Sequence, residues 1–156
     1  MKKLFSVILI FTIVLALSAC GGKTAVTIDI DKLANDLMSA DLFVDQLSSS
    51  KDINFDVSGQ VGVDLSLCKN YCYYIGSSVT GEEFGLFECN SEKDAKTVES
   101  QMKDRQTALI NLYQAYSPEA VARVNASTLK TAGNYVIFVS ADKADAAASI
   151  VDSAVK

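Results

Sequence analysis

Three cysteines, two adjacent glutamates and a cluster of tyrosines are the residues whose chemistry could exceed packing. Cys68, Cys72 and Cys89 are thiols able to pair as a disulfide or to attack as thiolates. Tyr71 to Val79 and Glu83 to Cys89 read as the arms of a hairpin about Thr80-Gly81, which sets Cys72 opposite Cys89 if the loop has two residues. Opposed strand residues have α-carbons about 4.5–5.5 Å apart, within disulfide range, so one expectation is a Cys72–Cys89 bridge with Cys68 free. The other is that all three are small buried apolar side chains. Cys68 and Cys72 could meet only on a helical turn, and Lys69 is the one clear basic neighbour able to lower a thiolate.

Glu82-Glu83 has the residue type for acid–base work or for holding a cation. Adjacent residues on a strand point to opposite faces, and the pair reads more simply as its solvated start. Tyr71, Tyr73 and Tyr74 place phenols on both faces of one strand. Cross-strand packing explains that cluster more readily than a ligand platform. Asp31 suits a helix cap better than a metal site, and no calcium-loop spacing is present.

Histidine is absent, which excludes Ser-His-Asp and Cys-His nucleophile pairs and the usual zinc sites. Tryptophan is absent too, so any sugar-stacking surface would have to use tyrosine. Beyond position 19 the chain carries 12 basic and 19 acidic residues, a formal charge of −7. That disfavours nucleic acid as a partner, since no basic patch is available. Neither cofactor nor metal is implied.

The elements that must position these groups follow from periodicity. Thr24 to Ile30 alternates as a half-buried strand, and Asp31 can cap a helix carrying Leu33, Leu37 and Met38 inward. Ser48 to Asp52 reads as a surface loop, and Ile53 to Leu67 is weakly patterned. After the hairpin, Ser91 caps a long helix to about Tyr116, with a core stripe of Ala95, Val98, Met102, Leu109, Leu112, Tyr113 and Tyr116. Arg105 interrupts the stripe, its stem buried and its head reaching the edge. Ser117-Pro118 stops that helix and starts a short one to about Val124. Thr128 to Lys130 and Tyr135 to Ser140 pair about Gly133-Asn134. Asp142 can start a last helix whose apolar side is Ala146, Ile150, Val151 and Ala154. The expected class is α+β: one domain with a mainly antiparallel sheet packed by helices.

The first twenty residues resemble a bacterial lipoprotein signal. Lys2-Lys3 precede an apolar run from Leu4 to Ala16, and Leu17-Ser18-Ala19-Cys20 has the form of a lipobox. The run is shorter than the roughly 20 residues a membrane helix needs. The resemblance implies a signal peptide over 1–19, a lipidated Cys20 with a tether over 20–24, and an extracytoplasmic domain over 25–156. The membrane is then a partner through diacylglyceryl-Cys20, with the fatty acyl (palmitate-type) chains holding the protein at the outer face of the cell membrane.

The domain itself resembles a family of lipoproteins from Firmicutes known only as a domain of unknown function. The matching residues are Gly81-Glu82-Glu83-Phe84-Gly85-Leu86-Phe87, Tyr116-Ser117-Pro118-Glu119, Asn125-Ala126 and Gly133-Asn134-Tyr135-Val136-Ile137-Phe138. The resemblance implies a lipid-anchored α+β domain from a Gram-positive bacterium and carries no activity to transfer. The function expected is therefore a non-enzymatic binding or protein-interaction module. Its contact surface would be the hairpin, with Tyr71, Tyr73, Tyr74, Glu82 and Glu83 facing an envelope protein or a small ligand. The alternative is an envelope enzyme or thiol-redox accessory using Cys68 or Cys72 with Glu82 or Glu83.

Overall fold

The computed structural model describes residues 26–156; the expected signal peptide, Cys20 and the expected tether lie outside the described residues. The elements run in the order α1 (Ile30–Ser39), β1 (Ser48–Ser49), α2 (Val57–Val61), a 3-10 turn at Leu65–Leu67, β2 (Cys68–Ile75), β3 (Glu83–Cys89), α3 (Glu92–Tyr113), α4 (Pro118–Asn125), β4 (Thr128–Ala132), β5 (Tyr135–Ser140) and α5 (Ala144–Ala154). The strands form one sheet in the order β1-β2-β3-β5-β4, every neighbour antiparallel. The α+β expectation holds.

The two central strands are covered on both sides, which is why they read as nearly continuous apolar runs. Phe84, Leu86, Ile137 and Val139 face a core built with α1 and α5. Phe87, Cys89, Val136 and Phe138 face the other core, with Ala95, Val98 and Met102 of α3 and Val57 and Val61 of α2. A third cluster, Leu109, Tyr113, Ala120 and Val124, docks α4 on the far end of α3.

Several local signals act as expected. The Ser91 side chain caps α3, the Ser117 side chain caps α4 with Pro118 in its first turn, and β4 and β5 turn at Gly133 with φ of 58°.

Others do not. The expected strand over Thr24 to Ile30 is, in its described part, an irregular segment leading into α1, and the cap is Asp29 rather than Asp31. Ile28 and Ile30 are buried, but Ile30 already belongs to the stripe continued by Leu33, Ala34 and Leu37. Met38 is exposed. Ser48-Ser49, read as loop, pairs with Tyr74 and Ile75 as the sheet's edge, where polar side chains suffice. In α5 the buried face is Ala147 and Val151, not Ala146, and Asp142 does not cap it.

Candidate functional site

The hairpin register differs from the expected one, and the site follows from that difference. β2 ends at Ile75, so the connection to Glu83 spans Gly76 to Glu82 rather than two residues. Tyr73 lies opposite Gly85, Cys72 opposite Leu86, and Cys68 opposite Cys89. The Cys72–Cys89 opposition therefore does not occur. A longer connection moves every partner along the ladder, and Cys72 faces the α1–α5 core while Cys89 faces α3. Burial, the largest influence on it, pushes the Cys72 thiol up to about 12, which makes it unreactive.

Glu82 and Glu83 are not a solvated strand start: both are buried, with 1% and 2% exposure. Their side chains do point to opposite faces, as strand geometry requires, and each meets one of the chain's two arginines. On the α3 face, Arg105 grips Glu83 with two nitrogens, Nε to Oε1 at 2.9 Å and Nη2 to Oε2 at 2.6 Å. Arg105 Nη1 also donates to the Gln60 carbonyl at 3.2 Å. The Tyr73 hydroxyl donates to Glu83 Oε1 at 2.5 Å. Gly85 makes room for this ring, since a β-carbon there would stand 2.8 Å from Tyr73 and 2.7 Å from Phe87. Burial works against the Arg105 charge, but the hydrogen bonds and charge of Glu83 outweigh it and keep the guanidinium protonated.

On the other face Glu82 gathers chain segments. Its Oε1 accepts the backbone N–H of Val44 at 3.0 Å and of Asp142 at 3.1 Å, and its Oε2 accepts that of Asp45 at 2.8 Å. Arg123 Nε lies 3.4 Å from Oε1 without hydrogen-bond geometry. Arg123 spends its other nitrogens on the Thr80 carbonyl at 2.6 Å and on Asp142 at 2.8 Å. Asp45 then closes the hairpin connection: Oδ2 accepts the Ser77 N–H and hydroxyl, each at 2.8 Å, and the Thr80 hydroxyl. Burial would raise the Asp45 carboxyl, but these bonds hold it below the usual carboxylate range.

Between the residues before α2, this pinned connection and the C-terminal half of α3 lies a cleft of about 370 Å³. Its floor is polar, with Glu83 and Arg105, while Ile75, Leu109 and Tyr113 make apolar walls. At its mouth Ile53 and Leu112 are 50% and 53% exposed. Tyr116, edge-on to Tyr113 with ring centres 5.7 Å apart, and Val79 add to the exposed apolar surface beside it. A larger hollow of about 590 Å³ separates α1 from α5, but its polar groups are already committed. There Asp29 caps α1 and Lys32 pairs with Asp36.

The family described as Domain of unknown function (DUF4358) matches residues 48–141, more than half of the sequence. The chain belongs to the DUF4358 family. No curated protein and no solved structure matches it. The DUF4358 segment runs from β1 to just past β5 and holds Glu82, Glu83, Arg105, Arg123 and the residues of the cleft, while the clamp partners Val44, Asp45 and Asp142 lie outside it. Helices α1 and α5 lie outside it.

Of the hairpin residues expected to form a contact surface in this DUF4358 chain, most are inside. Tyr73 is buried against Glu83, and Tyr74 stacks on Phe84 with ring centres 4.7 Å apart. Tyr71 is half-buried, with Lys51 Nζ 5.2 Å above its ring. Among the described residues no cysteine joins Glu82 or Glu83. Cys68 and Cys89 sit at the opposite end of β3 from Glu83, about 20 Å away at 3.3 Å per residue, and Cys72 is on the other face of the sheet from Glu83. The apolar mouth of the cleft escaped sequence reasoning. Leu112 and Tyr116 do not belong to the buried stripe of α3 as expected: both are exposed, and spacings of three from Leu109 and Tyr113 carry no signal that they face out.

Tyr73 supplies a pH prediction. Burial first, and the Glu83 charge second, push its phenol well above the ordinary tyrosine value of about 10. A raised folded value means that the stability tied to the proton is complete below the unfolded value and is lost as pH rises through the folded one. Unfolding curves above about pH 10 should therefore fall more steeply for the wild type than for Tyr73→Phe. Equal slopes would show that Tyr73 does not carry the effect.

Proposed function

We propose that this DUF4358 chain is a binding module held on the outer face of a cytoplasmic membrane by acylated Cys20, docking a segment of an envelope protein in the cleft above Glu83 and Arg105. The location rests on the resemblance of residues 1–20 to a lipoprotein signal, and a Firmicutes source rests on the family resemblance. Two acyl chains on Cys20 suffice for stable attachment where one gives only reversible binding.

One observation carries the binding role. The cleft has a fully paired polar floor, yet Ile53 and Leu112 at its mouth remain half exposed. Buried ion pairs satisfied by each other have nothing left to offer a charged ligand. Apolar side chains at the rim gain by being covered, at about 25 cal/mol per Å² of apolar area. The apolar rim continues past the small cavity to Val79 and Tyr116, which favours a protein segment over a small molecule.

A photoreactive residue in place of Ser78, at the cleft, should give discrete protein adducts in cells that make the protein natively. The same residue at Lys96, on the far side of α3, should give none. Adducts of equal yield from both positions would sink the docking role. Cys20→Ser should move the protein from the membrane to the soluble fraction and abolish the Ser78 adducts. Unchanged detergent partitioning of that variant would refute the anchor.

A further inference from the structure

The end of the hairpin away from the carboxylates holds two sulfurs that a docking role leaves unused. Cys68 and Cys89 are direct partners across β2 and β3. The adjoining pair carries the backbone hydrogen bond, Asn90 N–H to the Leu67 carbonyl at 2.8 Å. The Cys89 N–H itself turns away to the Asn134 carbonyl at 2.8 Å, so Cys68–Cys89, next to a register shift between Cys68 and Asn70, is a non-hydrogen-bonded pair, the closer kind, with α-carbons about 4.5 Å apart. Disulfides span about 4.4–6.8 Å between α-carbons. Both side chains also lie on one face: Cys89 is buried in the core beneath α3, and Cys68 packs against the same cluster.

We propose that Cys68 and Cys89 form a disulfide by exchange with an external disulfide, stapling the open end of the hairpin beneath the start of α3. Cys68 is the half-buried member and Cys89 the fully buried one, so Cys68 meets the oxidant. Its thiolate attacks one sulfur of the external disulfide; that bond breaks, one external thiolate leaves, and a mixed disulfide remains on Cys68. Cys89 then gives its proton to the departed thiolate and attacks the Cys68 sulfur, expelling the second external sulfur as a thiolate, which takes up the proton that Cys68 released to solvent on ionising. Two protein thiols are oxidised and one external disulfide is reduced to two thiols. The direct contact between the two protein sulfurs supports this order: it lowers the Cys68 thiol and raises that of Cys89. Cys72, opposite Leu86 and facing the other core, has no part in it.

The pairing is a matter of geometry, whereas a supply of oxidant depends on the outer-face location proposed above. The test keeps them apart. The purified full chain is equilibrated with glutathione disulfide, blocked with an alkylating reagent and cut with trypsin and a glutamate-specific protease, which separates all four cysteines. The expected product is a Cys68–Cys89 linked peptide with Cys72 alkylated, unchanged in Cys72→Ser and lost in Cys68→Ser and in Cys89→Ser. A loop of about twenty residues should then melt on the order of 5–10 °C higher when closed, reversibly with reductant. A link through Cys72, or Cys68 and Cys89 both alkylated under conditions that oxidise the urea-unfolded chain, would overturn the pairing. If the purified chain oxidises readily but alkylation on intact cells finds both thiols reduced, the pairing stands and the outer-face location loses its support.

Discussion

Glu82→Ala should destabilise the protein by about 3–5 kcal/mol, the loss typical of removing one partner from a buried charged network. Glu82 is a junction between chain segments. One carboxylate accepts from the loop after α1, through Val44 and Asp45, and from the β5–α5 connection, through Asp142. Alanine would leave three backbone donors without this acceptor and strip Arg123 of the carboxylate beside its Nε. Each buried donor left unsatisfied costs about 1–3 kcal/mol before relaxation. Glu82→Gln keeps one oxygen and should lose roughly half as much. Urea denaturation of both variants gives the comparison. A loss below about 1 kcal/mol for alanine would mean that water replaces the carboxylate freely and that the junction is not structural.

Arg105→Ala should be nearly as damaging, again about 3–5 kcal/mol, because it leaves the Glu83 carboxylate buried with only the Tyr73 hydroxyl. The informative comparison is the apolar replacement of all three groups, Tyr73→Phe with Glu83→Leu and Arg105→Met. Desolvating the two charges costs much of what their attraction returns, so a well-packed apolar triad should lie within about 1 kcal/mol of the wild type. If the triple variant is as unstable as Arg105→Ala alone, the ion pair contributes net stability and the cleft floor cannot be exchanged. If it is stable, the pair serves to shape the cleft and to fix Arg105 across to Gln60 ahead of α2.

What could be read from the sequence divides by distance along the chain. Caps at Ser91 and Ser117, the helix start at Pro118 and the turn at Gly133-Asn134 depend on neighbours within four residues, and they stand as expected; α3 itself ends at Tyr113 rather than at Tyr116. The burial of Glu82 and Glu83 depends on Arg105, 22 residues away from Glu83, and on segments 37 to 60 residues from Glu82. No periodicity records such partners. A solvated carboxylate pair and a clamped one are written with the same letters. The hairpin register failed for a related reason. Thr80-Gly81 suggested a tight turn, but Gly81 takes its positive φ of 70° inside a longer connection folded around Asp45 and Arg123. The period-2 alternation before Asp31 was too short to separate a strand from the approach to a helix. Asp29 settles it by capping Lys32.

The separation of a structural floor from a working rim is tested by one substitution. Leu112→Glu alters a half-exposed side chain outside the buried network, so its stability should stay within about 0.5 kcal/mol of the wild type. With a photoreactive residue at Ser78 as reporter in intact cells, this variant should lose the protein adducts that the parent gives. Adducts persisting in full with Leu112→Glu folded and on the membrane would contradict the cleft as the docking surface.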